Sequence, residues 1–450
     1  MSVWNTISVT GTKLLTPLAL LLLAGVAFVS IKRRRQLHDD GVEAYKSSAQ
    51  NDLLEPTTLH PEIDASKCTG CTACVKACPE GEILKIINHK AVLVQPNMCV
   101  GHGECEVACP FGAIDLVFGT KRRGMDLPRI TSNYETNIKG VYIAGELGGM
   151  GLIRNAVRQG RSAAMHALAK LPGSSKADFD LLIVGGGTAG LAASLAATQA
   201  RAKYLCIEQH SVGGTIYNFP RQKIVMTQPA DLPLVGTMEF PNNKVSKEEL
   251  LHYWTQIRRR YSLRIKEGCR FEGLTKDKDI FHVKTSLGQV TAKKVILATG
   301  VRGTPRRLNV PGENLPKVTY NLLDPDQYQK QDVAIVGGGN SALEAAVQLA
   351  QPKLRNRVSL IVRSRQFNRA NQENIDNVNA LALHGQLWII FESEIKSIHQ
   401  NHIIVDHGGS AIKMNNKFVF IFAGSEVPTA FLASLGIKVD KKFGERLRKT

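Results

Sequence analysis

From Leu14 to Ile31 the chain carries 18 uncharged, mostly apolar residues, which as a helix rising about 1.5 Å per residue reach about 27 Å, enough to cross a bilayer core. The pattern predicts one transmembrane helix. The run ends in Lys32-Arg33-Arg34-Arg35 instead of small residues suited to signal cleavage, and only Lys13 precedes it. That bias predicts a single pass through the inner membrane with everything after Arg35 in the cytoplasm. Residues 36–60 are polar, lack clear periodicity and read as a linker. Farther on, Val141–Gly145 reads as a buried strand, Leu152–Leu168 has helical apolar spacing, and Leu171–Asp178 is a turn. Two strand, glycine-loop, helix units follow, at Asp180–Gly190 and Asp332–Ala342. Between them lie a polar helical region at Lys247–Tyr261 and strands at Phe281–Thr285 and Lys294–Ala298.

Seven of the nine cysteines fall between Cys68 and Cys109, while Cys206 and Cys269 stand alone. A secreted disulfide framework spreads its cysteines over a short chain, so this confinement points to a metal site in a reducing compartment. The run Cys68-x-x-Cys71-x-x-Cys74-x-x-x-Cys78-Pro79 has the spacing that wraps three thiolates around one iron–sulfur cube and sends the fourth elsewhere. Structural zinc takes two separated pairs instead. The second run, Cys99-x-x-His102-x-x-Cys105-x-x-x-Cys109-Pro110, keeps the spacing but has histidine at the second position.

Over about 55 residues these motifs resemble the two-cluster bacterial ferredoxins. The resemblance implies crossed ligation: Cys68, Cys71, Cys74 and Cys109 for one 4Fe-4S cluster, and Cys99, His102, Cys105 and Cys78 for the other. A neutral imidazole in place of a thiolate removes one negative charge, so the second cluster is expected to be the easier to reduce. Two alternatives stay open: a 3Fe-4S cluster with His102 nearby, or a surface His102.

Gly185-x-Gly187-x-x-Gly190 follows an apolar strand and opens an Ala-rich helix, so backbone N–H groups can face a pyrophosphate. Glu208, at the end of the next strand and 18 residues beyond Gly190, is placed to bond a ribose hydroxyl. A tight turn with no ligand is the bland reading. Gly337-x-Gly339-x-x-Ala342 repeats the start, but there the following strand ends in Arg363-Ser-Arg365 with no acid. Arginine suits a ribose 2′-phosphate, so NADPH is favoured over NADH.

From about Asp178 to Asp440 the chain resembles thioredoxin-reductase-like flavoproteins, particularly bacillithiol-disulfide-reductase-like members. Gly185–Gly190, Gly213-Gly214-Thr215, Ala298-Thr299-Gly300, Gly337–Ala342 and Phe422-Ala-Gly424 carry the resemblance. It implies FAD on the first unit, NADPH on the second, and hydride transfer by rotation of one against the other. The dithiol of a thioredoxin reductase is missing, since Thr319–Asp332 contains no cysteine, and Ala189 stands where a bacillithiol-disulfide-reductase-like protein would carry one. The segment that closes the FAD domain in such proteins is also missing after Leu435–Asp440. Its pattern stands upstream instead, as Thr136–Glu146, with Glu146 after Gly145 in the place of an aspartate that contacts FAD. The module is therefore expected to be circularly permuted; an unrelated hairpin, or completion of a neighbour's flavin site in a homodimer, are the alternatives.

The expected fold class is an α/β flavoprotein with two Rossmann-like dinucleotide-binding domains, an α+β two-cluster ferredoxin domain and one N-terminal transmembrane helix. The boundaries are an anchor at 1–35, linker 36–60, cluster domain 61–118, connector 119–136, displaced FAD segment 137–172, FAD domain 178–315, NAD(P) domain 316–424 and a return to the FAD domain at 425–450. The expected activity passes electrons from NADPH through FAD and the clusters to an acceptor such as a ferredoxin, a cytochrome or a quinone-linked complex, or runs in reverse. A disulfide reductase using Cys206 or Cys269, and a membrane redox or oxygen sensor, are the rival readings. The net charge of +18 comes without a nucleic-acid recognition motif and is better matched to anionic lipid.

Overall fold

The computed structural model describes residues 3–50, 54–56, 58–81, 83–171, 176–301, 305–424 and 428–446, with side chains from residue 20 onward. The chain divides into two compact units, Met1–Val117 and Phe118–Thr450. Parts of the expected turn at 171–178 and of the terminal segment 425–450 lie outside the described residues.

In the first unit, helix α1 runs unbroken over Val3–Gln50. The stretch taken as a linker from residue 36 is therefore helical as far as Gln50. Its partly or fully buried positions, Leu37, His38, Gly41, Val42, Ala44 and Ser48, recur at helical spacing. They pack on the antiparallel hairpin of β2 (Leu84–Ile87) and β3 (Lys90–Leu93), where a Cβ on Gly41 would stand 2.8 Å from Ile87 Cγ1. The Asn88 backbone N–H donates to His38 Nδ1 at 3.2 Å. Among the described residues no helix is long and apolar enough to cross a membrane; residues 14–19 of the apolar run lie outside those whose side chains are described. The outer strand β1 (His60–Ile63) pairs antiparallel with β4 (Ile114–Phe118). The two cysteine motifs each end in one short helix, α2 (Ala73–Ala77) and α3 (Glu104–Val107).

Two larger sheets organise the second unit. The connector contributes β5 (Met125–Pro128), and β6 (Val141–Ile143) comes next, followed by helix α4 (Ile153–Ala169). The first glycine loop joins β7 (Phe179–Val184) to α5 (Thr188–Gln199), and β8 (Tyr204–Ile207) follows. Four short strands, β9 (Ile224–Met226), β10 (Ala230–Leu232), β11 (Gly236–Met238) and β12 (Lys244–Ser246), pair as β9 with β12 and β10 with β11. Helix α6 (Lys247–Arg260) opens with a capping box in which Ser246 and Glu249 exchange hydrogen bonds. Strands β13 (Ile265–Lys266), β14 (Phe271–Asp277), β15 (Ile280–Thr285) and β16 (Gly288–Leu297) complete the first sheet, in the order β13-β8-β7-β16-β15-β14.

Strand β16 is long enough to serve two neighbours on one side. Its first half pairs antiparallel with β15, and its second half pairs in parallel with β6, Leu297 opposite Ile143. Its other edge pairs in parallel with β7. Strand β6, 36 residues upstream of β7, is thus a parallel strand of the same sheet, and α4 packs on α5. Four apolar strand ends, those of β8, β7, β16 and β6, come out at one edge of the sheet.

The second sheet is parallel: β17 (Val318–Thr319), β24 (Phe418–Ile421), β18 (Asp332–Val336), β19 (Arg357–Ile361) and β20 (Leu387–Ile390), in that order. Helices α7 (Asn340–Leu349) and α8 (Gln372–Leu383) belong to its core, and β21 (Ser393–Ile398), β22 (His402–His407) and β23 (Ser410–Asn415) form an antiparallel sheet of their own. Finally α9 (Thr429–Ser434) and β25 (Val439–Lys442) return to the first sheet: Leu432 and Ile437 pack with Val141, Ile143 and Leu147, and β25 pairs antiparallel with β5.

Candidate functional site

In the cluster unit, two cavities are ringed by the cysteines. Cys68, Cys71, Cys74 and Cys109 line one; Cys78, Cys99, His102 and Cys105 line the other. Each cavity thus takes most of its ring from one motif and the last cysteine of the other. Among the described residues no three of His, Cys, Asp or Glu converge on a single metal ion. Sulfurs arranged around a cavity suit a multi-iron cube and not a tetrahedral zinc.

Backbone groups already point at two of the sulfurs: the Ala91 N–H donates to Cys68 Sγ at 3.4 Å and the Ala113 N–H to Cys109 Sγ at 3.3 Å. Burial pushes the thiols up, Cys74 and Cys99 to about 11 and Cys105 to about 12, with the neighbouring cysteines adding to the shift. Burial also raises Cys78. Thiolates at these positions need a positive partner, which is what a cluster's iron supplies. His102 is not a surface residue: its ring lines the second cavity and its Nε2 lies 2.9 Å from Glu80 Oε1.

In the second unit, the four strand ends carry the first nucleotide site. The Gly186 N–H donates to Glu208 Oε2 at 2.7 Å and the His210 N–H donates to Oε1 at 2.9 Å, so the buried Glu208 carboxylate ties the glycine loop to the end of β8. The Gly213 N–H donates to the Gly186 carbonyl, which sets Gly213, Gly214 and Thr215 against Gly185, Gly187 and Gly190. A Cβ on Gly185 would stand 2.5 Å from the Ala298 carbonyl oxygen, which places Thr299 and Gly300 beside the loop. From the other side of β16, a Cβ on Gly145 would lie 3.1 Å from Ala189 Cβ, and Glu146 begins the turn that follows. Sequence reading missed Gln159, whose buried Oε1 accepts from the Gly145 N–H at 2.7 Å. Its one sequence signal is an amide on the apolar face of an Ala-rich helix.

At the second site Gly337, Gly339 and the fully buried Ala342 form the turn into α7. Arg363 and Arg365 follow β19, but both are strongly exposed and face acids: Arg365 Nε lies 2.7 Å from Glu392 Oε1, and Arg363 Nε 3.8 Å from Glu394 Oε1. Arg369 was missed in the sequence. Its backbone bridges to Gly339, and burial, with Arg123, Arg306 and Arg363 around it, pulls its pKa below the ordinary value. Cationic side chains gathered beside a glycine loop make an anion site. Cys206 is fully buried, its thiol raised to about 12 by burial, with Sγ 3.6 Å from the Gly185 carbonyl. Cys269 sits in a different apolar cluster, and both thiols are free.

Comparison with known proteins follows the same division. Residues 60–110 match the 4Fe-4S dicluster domain. Bacilliredoxin reductase Bdr of Bacillus subtilis is 29% identical over 268 residues, covering 58% of this chain and 82% of that protein. A ferredoxin–NADP reductase of Thermus thermophilus is 29% identical over 274 residues, covering 58% and 78%. Among solved structures, the bacillithiol disulfide reductase Bdr from Bacillus cereus is similar at a TM-score of 0.54 and 28% identity, over 60% of this chain and 85% of that one. Residues 182–447, more than half of the chain, match the pyridine nucleotide-disulphide oxidoreductase family, and the protein belongs to it.

Proposed function

We propose that this protein is an NADPH-dependent flavin and iron–sulfur oxidoreductase, anchored in a membrane, that exchanges electrons with a one-electron partner. The observation that carries the reading is the joining, in one chain, of two cysteine-ringed cavities to two dinucleotide loops with no cysteine pair. When bound, FAD converts the nicotinamide's hydride into single electrons that iron–sulfur clusters can carry.

The chain's own residues divide the work. Gly185, Gly187 and Gly190 leave room for a pyrophosphate at the start of α5, and Glu208 holds the loop's shape and offers its carboxylate to a ribose. The Gly145–Glu146 turn and α4 are read as a piece of the FAD domain that stands upstream of the first glycine loop, the order of a circularly permuted domain. Its support is the place of β6 beside β16 and the contact of Gly145 with Ala189. Arg363, Arg365 and Arg369 gather positive charge for a 2′-phosphate, which favours NADPH. Cys68, Cys71, Cys74 and Cys109 would hold one 4Fe-4S cluster; Cys78, Cys99, His102 and Cys105 would hold the second, with a 3Fe-4S cluster as its alternative form.

Membrane anchoring rests on α1, where Leu20, Leu21, Leu22, Leu23, Phe28 and Val29 are all exposed, directly before the bases Lys32–Arg35. An exposed apolar helix of this kind needs lipid or a partner to cover it. The test is anaerobic purification from membranes in detergent, with flavin, iron and sulfide counted and NADPH oxidation followed with a one-electron dye. One flavin, about eight irons for two cubes and dye reduction are expected. A protein without iron, or one that reduces no dye, sinks the proposal.

A further inference from the structure

Glu80 follows Cys78 and Pro79, so the turn that brings one cysteine to the second cavity also brings a carboxylate. Its Oε1 lies 2.9 Å from His102 Nε2, and the two side chains are largely shielded from solvent, at 26% and 16% exposure. His102 itself sits between Gly101 and Gly103, both at positive φ. A hydrogen bond to the second nitrogen commonly sets the tautomer and the direction of a metal-binding histidine.

We propose that Glu80 is the positioning residue of the second iron–sulfur site: it accepts the Nε2–H of His102 and thereby commits the Nδ1 face of the ring to iron. The proposal rests on the reading of His102 as a ligand. It also bears on charge. Exchanging a thiolate for an imidazole removes one negative charge from the cluster, and the Glu80 carboxylate returns one at the far side of the ring, in surroundings shielded from water. The histidine site is therefore less shifted from a four-cysteine site than the ligand exchange alone implies, and Glu80 holds its potential down.

The experiment uses the full-length protein, purified anaerobically, with ¹⁵N-labelled histidine. Pulsed electron-spin resonance reads nitrogen coupling to the reduced second cluster, and a redox titration reads both potentials, the first cluster serving as internal control. Glu80→Gln keeps an acceptor for the ring but loses the charge, so the histidine coupling should persist while the second site's potential rises and the first site's stays. Glu80→Leu removes the acceptor too and should change or abolish the coupling. In a His102→Cys background the Glu80→Gln shift should shrink. Histidine coupling in the parent that, together with the potential, is unchanged in both Glu80 variants overturns the role of Glu80 and leaves ligation standing. Absence of coupling in the parent overturns ligation by His102, and this proposal with it.

Discussion

Lys223 Nζ lies 2.6 Å from Glu344 Oε2, joining the segment after β8 in the first nucleotide domain to helix α7 of the second. Both side chains are about four-fifths shielded, and the neighbouring Arg221 adds a backbone bond to Leu323 and a 3.6 Å ion pair with Asp324. If hydride transfer requires these two domains to turn relative to one another, this contact has to break. Lys223→Met and Glu344→Gln are each expected to change NADPH turnover without changing the flavin spectrum. A double-mutant cycle on thermal stability should return a coupling of about 1 kcal/mol. Equal turnover in parent and both variants would show that the contact does not constrain the domains.

Arg369 and Arg365 should contribute unequally to cofactor choice. Arg365 is almost fully exposed and already paired with Glu392, whereas Arg369 is bridged through its backbone to Gly339 and pressed by other arginines. A charge-assisted hydrogen bond there is worth about 1.5–3 kcal/mol, roughly 10- to 100-fold in affinity. Arg369→Ala is expected to lower the ratio of kcat/KM for NADPH over NADH by that order, and Arg365→Ala by much less. Equal effects of the two would return the assignment to the exposed arginines.

Cys206 and Cys269 are buried in separate apolar clusters, so neither is placed to exchange with a disulfide substrate. The double variant Cys206→Ala, Cys269→Ala should keep NADPH-driven dye reduction, with some loss of stability from the smaller side chains. Loss of the activity in a folded, flavin-loaded double variant would restore the dithiol reading.

Acid should loosen the closure of β25 on β5. Arg129 donates to both carboxylate oxygens of Asp440, at 2.8 and 2.6 Å, and these bonds hold the Asp440 pKa below its ordinary value. A folded-state pKa that is depressed contributes stability fully above the unfolded value of about 3.9, and the contribution is lost as pH falls through the lowered value. The parent's melting temperature should therefore fall more steeply than that of Asp440→Asn between about pH 5 and pH 3. Parallel curves would mean the pair is screened to insignificance, as exposed pairs can be.

Local pattern was enough to read the strand and helix units, because alternation of buried strand and glycine turn is a short-range signal: the strand read at Phe281–Thr285 falls within β15 (Ile280–Thr285). The helical continuation of α1 to Gln50 was not legible, since the partly or fully buried positions Leu37, His38, Gly41, Val42, Ala44 and Ser48 mix polar and small residues with only two branched apolar ones. Strand β5 in the connector was missed for another reason: its partner β25 begins more than 300 residues downstream, at Val439. At the sites, residue types that carry their own chemistry were found, while the residues that orient them were not. Glu80 reaches His102 across 22 positions, Gln159 reaches Gly145 from a neighbouring helix, and Arg369 is set beside Gly339 by a backbone bridge that no spacing encodes.

Gly160 decides how closely α4 lies on α5, and with it where the Gly145–Glu146 turn meets the first glycine loop. A Cβ on Gly160 would fall 2.1 Å from the Ala189 carbonyl oxygen, a main-chain atom at the start of α5 that cannot swing aside. The next residue back, Gln159, accepts from the Gly145 N–H, so displacement of α4 is passed directly to that turn. Gly160→Ala is expected to cost about 1–3 kcal/mol through overpacking. Gln159→Leu should cost a similar about 1–3 kcal/mol by leaving a buried N–H without its acceptor. If β6 and α4 complete the FAD domain, both variants should release flavin at lower denaturant concentrations than the parent, measured by the rise of free-flavin fluorescence. A variant at Thr255, exposed on α6 and distant in sequence from this contact, serves as the control. Destabilised variants that keep the parent's flavin affinity until they unfold globally would show that this helix pair supports the fold alone, and the permuted reading of the flavin site would fall.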